Sequence, residues 1–277
     1  MKKIVFSAAF LAVSVLSATG AMAAPVIFNL PVNNLGPFDS IITGTGSSVS
    51  TVPAVLGQSV YNYIDNNGNP ATVTVTRPIS GAAAVPSEPG FGSGNGGSGV
   101  GAIFNALWDI APDAGSTNLG SPPIPGFNDA GLTFTFSSPV NAFGLEIGDW
   151  GTCCEWHVRP GSVQSAYGVP ATGSGLWISF DGGAATLPAN ALSFNDNPGP
   201  SAYQEYTNFI GAIDSSGFFS SVSFFGDGFF ESLYAGGTLR FASVPKGSVG
   251  TVPEPASLAL LGLGVAGLVA ARRRKAA

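Results

Sequence analysis

The densest group of chemically active side chains lies in residues 148–157. This segment contains two tryptophans, both cysteines of the chain, its only histidine and two acids. Indole rings stack on sugar rings, and nearby carboxylates accept hydrogen bonds from sugar hydroxyls. The segment therefore indicates a glycan-binding surface formed by Trp150 and Trp156 with Asp149 and Glu155. The alternative is that the two indoles only cover the hydrophobic core.

Signals for catalysis are weak. His157 is the only histidine, so any Ser-His or Cys-His mechanism would depend on it, and no G-x-S-x-G sequence is present to expose a serine. Two carboxylates can hydrolyse a glycosidic bond without histidine. The most crowded acids are Glu146, Asp149 and Glu155. The sequence thus favours a non-enzymatic binding protein, with a polysaccharide hydrolase or a purely structural surface protein as the alternatives.

Calcium is the one metal that the sequence leaves open. Asp65 to Asn69 begins like an EF-hand loop, but Pro70 stands where the turn glycine belongs and Thr76 where the bidentate glutamate belongs. These five residues are therefore predicted to form an Asn-Gly turn. A Ca²⁺ ion held between loops would take carboxylates at strand ends, and Asp149 and Asp181 are the candidate ligands.

Composition excludes several function classes. Only 9% of the 277 residues are charged, Gly and Pro together make up about 22%, and 45% are apolar. One histidine and two cysteines exclude most zinc sites and any multi-disulfide framework. Residues 24–252 contain four cations and 15 acids, a formal net charge of −11. Such a surface does not bind nucleic acid, and it leaves neutral glycans, cations or other proteins as partners.

The candidate glycan-binding and Ca²⁺-binding residues are predicted to be positioned by β-strands. Short runs of alternating, β-branched and aromatic residues are broken by Gly, Pro, Asn and Asp. This pattern predicts an all-β domain, an antiparallel β-sandwich or jelly roll, whose Phe134, Phe136 and Phe180 face the core. A mobile glycine-rich loop is predicted over residues 85–101, and Ile103 to Trp108 fits a helical turn or a strand equally. The predicted strands are Val26–Leu30, Asp39–Thr43, Ala71–Arg77, Leu132–Phe136, Ala142–Ile147, Leu176–Phe180, Thr207–Ile213, Ser220–Phe225 and Thr238–Ser243.

Both ends of the chain read as targeting segments. Two lysines, an apolar run and the sequence Ala21-Met22-Ala23 predict a secretory signal peptide over residues 1–23, with a signal helix. At the other end, Val252-Pro253-Glu254-Pro255 precedes 16 uncharged residues, which predict a short transmembrane helix. Its basic flank, facing the cytoplasm, is Arg272, Arg273, Arg274 and Lys275.

This C-terminal segment resembles the PEP-CTERM sorting signal of Gram-negative bacteria. The Pro253-Glu254-Pro255 box, the apolar helix and the arginine cluster follow one another in the order that the signal requires. The resemblance implies recognition by an exosortase, a membrane transpeptidase that cuts near the box and passes the protein to the cell surface. It also implies an association with exopolysaccharide.

The sequence therefore predicts four parts: a signal peptide (1–23), a β-sandwich ectodomain (24–245), a linker (246–251) and the sorting signal (252–277). The protein is expected to be exported, held transiently in the inner membrane by its C-terminal helix, and then placed at the cell surface or in the extracellular matrix. In that oxidising compartment Cys153 and Cys154 can bond to each other, bridge two chains or stay free. We predict the bond between neighbours, which would hold both indoles in place.

Overall fold

The computed structural model describes residues 25–78, 80–86, 107–110, 130–148, 158–159, 161–192, 206–226 and 233–249. Within these ranges the chain forms 12 strands and two short helices. The helices are α1 (Gly36–Gly44) and α2 (Gly161–Tyr167). The strands are β1 (Val26–Pro31), β2 (Ser50–Pro53), β3 (Val60–Ile64), β4 (Pro70–Thr76), β5 (Leu107–Ile110), β6 (Ala130–Val140), β7 (Ala142–Gly148), β8 (Ser174–Phe180), β9 (Thr186–Ala191), β10 (Tyr206–Ile213), β11 (Phe219–Gly226) and β12 (Leu233–Ala242).

The strands form two six-stranded antiparallel sheets. The first sheet, which we call sheet A, has the order β1-β10-β7-β12-β2, and β5 also pairs with β12. The second, sheet B, has the order β3-β4-β6-β11-β8-β9. The architecture agrees with the predicted β-sandwich. The predicted signal helix and transmembrane helix lie outside the described residues, as does the predicted glycine-rich loop apart from residues 85 and 86.

The main core lies between the two sheets. Strict alternation in β4 and β6 places one side chain in two on this inner face, as sheet geometry requires. Phe134 and Phe136 are 0% and 4% exposed, and Phe180 packs against the same cluster, so the predicted core face is confirmed. From sheet A, Phe143 and Phe241 complete the aromatic contacts with Phe136, at ring-centroid distances of 5.1 and 6.3 Å.

The predicted strand Asp39–Thr43 is wrong, because this segment is part of helix α1. Pro37 lies in the first turn of the helix, where its missing N–H is not needed. Phe38 and Ile42, four residues apart, lie on one helix face and are both fully buried. They pack with Phe209 and Ile213 on the outer face of sheet A. The local alternation that suggested a strand is overridden by this tertiary contact.

Two glycines of sheet A make room for α1. The ring of Phe209 lies across Gly144 and Gly211, and a Cβ at either position would overlap that ring. Phe38 then packs edge-on against Phe209 at a ring-centroid distance of 4.9 Å. Helix α1 therefore lies close to sheet A and covers the outer face of that sheet. Helix α2 does the same on sheet B, where Val163 packs with Trp177 and Phe225.

Candidate functional site

The two ends of the sandwich differ in what they carry. At one end Ala142 pairs with both Ile213 and Ala242, and β1 begins beside Ile213. We call this end, which includes the 65–69 and 214–218 turns and the segment 243–249, the tail pole. At the opposite end β7 finishes at Gly148, paired with Tyr206. We call that end the distal pole.

The segment that follows β12 is fixed to the tail pole by hydrogen bonds. Buried Asn141 donates from its amide to the Val244 carbonyl (2.9 Å) and accepts from the Val244 N–H (2.7 Å). The Gly247 N–H then donates to the Ser215 carbonyl (2.8 Å), and the Ser215 hydroxyl donates to the Val249 carbonyl (3.1 Å). Residues 246–249, which the sequence assigned to a linker, are therefore attached to the 214–218 turn.

The predicted glycan site lies outside the described residues. This applies to Asp149, Trp150, Glu155 and Trp156, and also to Cys153, Cys154 and His157. The last described residue before them is Gly148, at the distal pole. The sorting residues, Val252, Pro253, Glu254, Pro255, Arg272, Arg273 and Arg274, also lie outside the described part of the chain. The roles assigned to all of these side chains stay predictions.

The disulfide between Cys153 and Cys154 has a direct test. We expect the exported protein, alkylated without reduction, to show no modified cysteine and to run as a monomer, because both thiols are oxidised to each other. Intact-mass spectrometry before and after reduction measures this, and the gain of two alkyl groups after reduction is the internal control. Two alkylated thiols before reduction, or a dimer that reduction separates, would contradict the bond.

Asp181, the second candidate Ca²⁺ ligand, has structural partners. Its Oδ1 accepts the Ser220 and Ser221 N–H groups at 2.8 and 2.9 Å. Its backbone has a φ of 50°, which aspartate tolerates better than most residues because its side chain bonds locally. Asp181 thus ties the β8–β9 turn to the start of β11. Its proposed partner Asp149 lies outside the described residues.

The Asn-Gly turn predicted after β3 is present. Asp65 Oδ1 accepts the N–H groups of Asn67 and Asn69 at 2.9 and 2.8 Å, and Gly68 has a φ of 81°. The Ser138 hydroxyl donates to Asp65 Oδ2 at 3.0 Å. The Asn69 hydrogen bond, more than any other contact, lowers the pKa of Asp65. Asp65 therefore acts as the acceptor that closes this hairpin.

A cleft of about 290 Å³ opens at the tail pole, beside this hairpin. Its lining includes no charged side chain. The Phe218 side chain is 54% exposed, although the adjacent Phe219 is fully packed in the core. Among the described residues the Asn67 side chain makes no hydrogen bond. The lining residues are Ser47, Asn66, Asn67, Ser138, Pro139, Phe218, Ser243, Val244 and Pro245.

The sequence did not single out Phe218 and Asn67. Two adjacent phenylalanines where a strand begins indicate that one ring can face outward. Phe218 precedes β11, however, and a register shift between Phe219 and Ser221 interrupts the alternation there, so the pattern does not show which ring it is. That the outward ring lies beside the 65–69 turn depends on pairing between distant strands, which no local pattern reveals.

Glu146 is the one buried carboxylate in the described ranges. It lies on the outer face of sheet A, where a register shift in β12 between Gly236 and Arg240 bends the strand around its carboxyl group. Gly237, with a φ of 60°, lies so close that a Cβ there would overlap the carboxylate. Burial raises the pKa of Glu146 to about 7, against the opposing effects of Arg240 and the Thr238 N–H.

Arg240 connects Glu146 to helix α1. Its Nη1 donates to both oxygens of Asp39, at 3.2 and 2.9 Å. The pair is partly exposed, so the contact contributes modestly to stability. Arg240 of β12 thus interacts with Asp39 of α1 and with Glu146 of β7. The three ionisable side chains connect these elements, which indicates a structural role. The described ranges contain no group of three His, Cys, Asp or Glu side chains arranged to hold a metal ion.

The described fold and the C-terminal sequence together define a class: an all-β domain followed by a sorting tail. Comparison with known protein families confirms the tail, because residues 251–275 match the PEP-CTERM protein-sorting motif. The chain is thus an exported protein that an exosortase sorts and that its C-terminus anchors in the membrane before processing. The motif begins two residues after Val249, the last described residue of the tail pole.

The rest of the chain has no counterpart in these comparisons. No curated protein and no solved structure matches it. Within the described ranges, neither helix has the length and apolar character that crossing a bilayer requires.

Proposed function

We propose that this protein is a non-enzymatic surface module that binds exopolysaccharide or another glycan after exosortase sorting. The observation that supports the proposal is the attachment of the tail. The sorting motif leaves the sandwich at the tail pole, and the aromatic segment 149–157 follows β7 at the distal pole. A protein held by its tail would turn that segment away from the membrane, toward the extracellular polymer.

The short connection supports this orientation. The Val249 carbonyl is bonded to Ser215, and Pro253 follows four residues later. Four residues span at most about 14 Å when fully extended, and the six residues to Pro255 span at most about 21 Å. Before processing, the helix predicted to follow Pro255 would thus keep the tail pole close to the bilayer. The distal pole would then be the freely accessible end.

The negative net charge of the ectodomain favours a neutral ligand. Residues 24–252 have a formal net charge of −11, which repels anionic lipid and nucleic acid. Neutral sugars are recognised instead by aromatic stacking and by hydrogen bonds from carboxylates and amides. Trp150 and Trp156 are the proposed stacking platform, and Asp149 and Glu155 the proposed acceptors. Asp181 is bonded at the start of β11, toward the tail pole, whereas β7 ends before Asp149 at the distal pole, so a Ca²⁺ ion shared by Asp149 and Asp181 is not part of the proposal.

Two assays on the exported protein separate the candidate functions. A glycan array measures binding, and release of reducing sugar from each bound polymer measures hydrolysis. Binding without turnover is the expected result, and it should weaken in Trp150→Ala and Trp156→Ala. Turnover that Asp149→Asn or Glu155→Gln abolishes would replace the proposal with a hydrolase. No response in either assay would favour a structural surface protein.

Processing of the tail gives a separate prediction. We expect the surface or released protein to end near the Pro253-Glu254-Pro255 box, because the exosortase removes the residues beyond its cleavage point. Intact-mass spectrometry of the mature protein measures the new C-terminus. The same chain made in cells without exosortase is the control and should keep residues 272–277. Finding those residues on the mature surface protein would contradict the prediction.

A further inference from the structure

We propose that the tail-pole cleft is a second binding site, for an uncharged sugar of a polysaccharide chain. The inference rests on the proposed function for its ligand class, but it uses only described residues. It assigns roles to Phe218 and Asn67 at the tail pole, opposite the distal pole where β7 ends before Trp150 and Trp156. A molecule with both sites could bridge two polysaccharide segments.

The exposed Phe218 ring is the first support. Its neighbour Phe219 is 2% exposed and packs against Phe180 at a ring-centroid distance of 5.0 Å. Phe218 directly precedes β11, beside the register shift between Phe219 and Ser221, and 54% of its surface is exposed. Pro139 and Pro245 line the same cleft, so one flat ring and two aliphatic rings form its apolar part. A sugar ring presents C–H groups that pack on such surfaces.

The polar part of the cleft is suited to hydroxyl groups. The Asn67 amide, which has both donor and acceptor atoms, makes no hydrogen bond to any described residue and lines the cleft. Its backbone is fixed, because the Asn67 N–H donates to Asp65. The Ser47 hydroxyl and the Asn66 amide both donate to the Ser243 carbonyl, and these hydrogen bonds connect three residues of the cleft lining. The Asn67 side-chain amide is therefore available to a ligand, while its backbone is held in place by the turn.

The charge of the lining decides the ligand class. None of the side chains that line the cleft is ionisable, so the cleft has no counterion for an anionic or cationic ligand. Asp65, a carboxylate of the adjacent hairpin, already accepts bonds from Ser138 and from its own turn. Aromatic area, a free amide and the absence of charge are together the chemistry that recognises a neutral, polyhydroxylated ring.

The test uses the exported, processed chain with soluble dextran, laminarin and mannan as neutral probes and alginate as a charged one, measured by affinity electrophoresis. Phe218→Ala should weaken binding of at least one neutral probe by about tenfold, and Asn67→Ala by a smaller factor. Val60→Ala is the matched control, because Val60 is an apolar side chain, 43% exposed, at the distal end of β3. Thermal unfolding should stay the same in all three variants.

The outcomes separate this inference from the proposed function. Loss of neutral-probe binding in Phe218→Ala but not in Val60→Ala supports the cleft. Loss only in Trp150→Ala or Trp156→Ala overturns the cleft and leaves the proposed function standing. Binding of alginate but of no neutral probe also overturns it. If neither these probes nor the glycan array gives any binding, both proposals fail.

Discussion

Replacing Phe134 with alanine is expected to lower the free energy of unfolding by about 3–5 kcal/mol, the usual cost of removing a large buried aromatic ring. Phe134 is fully buried at the centre of the core. Its ring lies 5.9 Å from that of Trp108, 4.9 Å from that of Phe143 and 6.0 Å from that of Phe224. These rings belong to both sheets. They therefore cannot fill the cavity that the Phe134 ring would leave unless the sheets move.

Denaturant unfolding followed by tryptophan fluorescence measures the loss. The matched control is Thr135→Ala, because Thr135 is the next residue of β6 and its side chain is exposed. This control is expected to cost less than about 1 kcal/mol. A loss below about 1 kcal/mol in Phe134→Ala would mean that β6 is placed in the wrong register.

Glu146 is expected to make stability depend on pH. Burial raises the pKa of this carboxyl group to about 7, above the ordinary value of 4.5, so the folded protein binds its proton more tightly than the unfolded chain. The stabilisation is fully present below pH 4.5 and is lost as the pH rises through 7. The loss amounts to about 3 kcal/mol, since each unit of pKa difference corresponds to about 1.4 kcal/mol.

The measurement compares the native chain with Glu146→Gln, which keeps the shape of the side chain and cannot ionise. Other titrating groups, such as Asp65, act equally in both proteins and cancel in the difference. The native chain should lose about 3 kcal/mol of stability relative to the variant between pH 4.5 and pH 8. A difference that stays constant over this interval would show that Glu146 keeps its charge in the fold.

The sequence predicted those strands whose local pattern and tertiary environment agree. The alternation in β4 and β6 is carried directly into the structure, because one face of each strand meets the core. β3 was missed because its pattern is inverted: the two tyrosines face inward, while Val60 and Ile64 are 43% and 58% exposed. β9 was missed because it contains Pro188, which an edge strand tolerates.

The candidate sites were harder to predict, because they depend on contacts that are distant in sequence. Glu146 was recognised only as one of several crowded acids, and its partner Arg240 lies on another strand, beyond a bulge. Likewise, Phe218 and Asn67 line one cleft at the tail pole because β6 pairs with both β4 and β11 in sheet B. A local pattern shows which residue types are present, but sheet order decides which of them become neighbours.

The position of β12 has a mechanical consequence. The tail that anchors the protein continues from a strand inside sheet A, since β7 lies on one side of β12 and β2 and β5 lie on the other. Antiparallel hydrogen bonds run perpendicular to their strands. A pull on the anchor along β12, for example from flow acting on bound polymer, therefore shears many hydrogen bonds at once instead of unzipping them in turn. An anchored molecule should thus resist such tension better than one tethered through an edge strand.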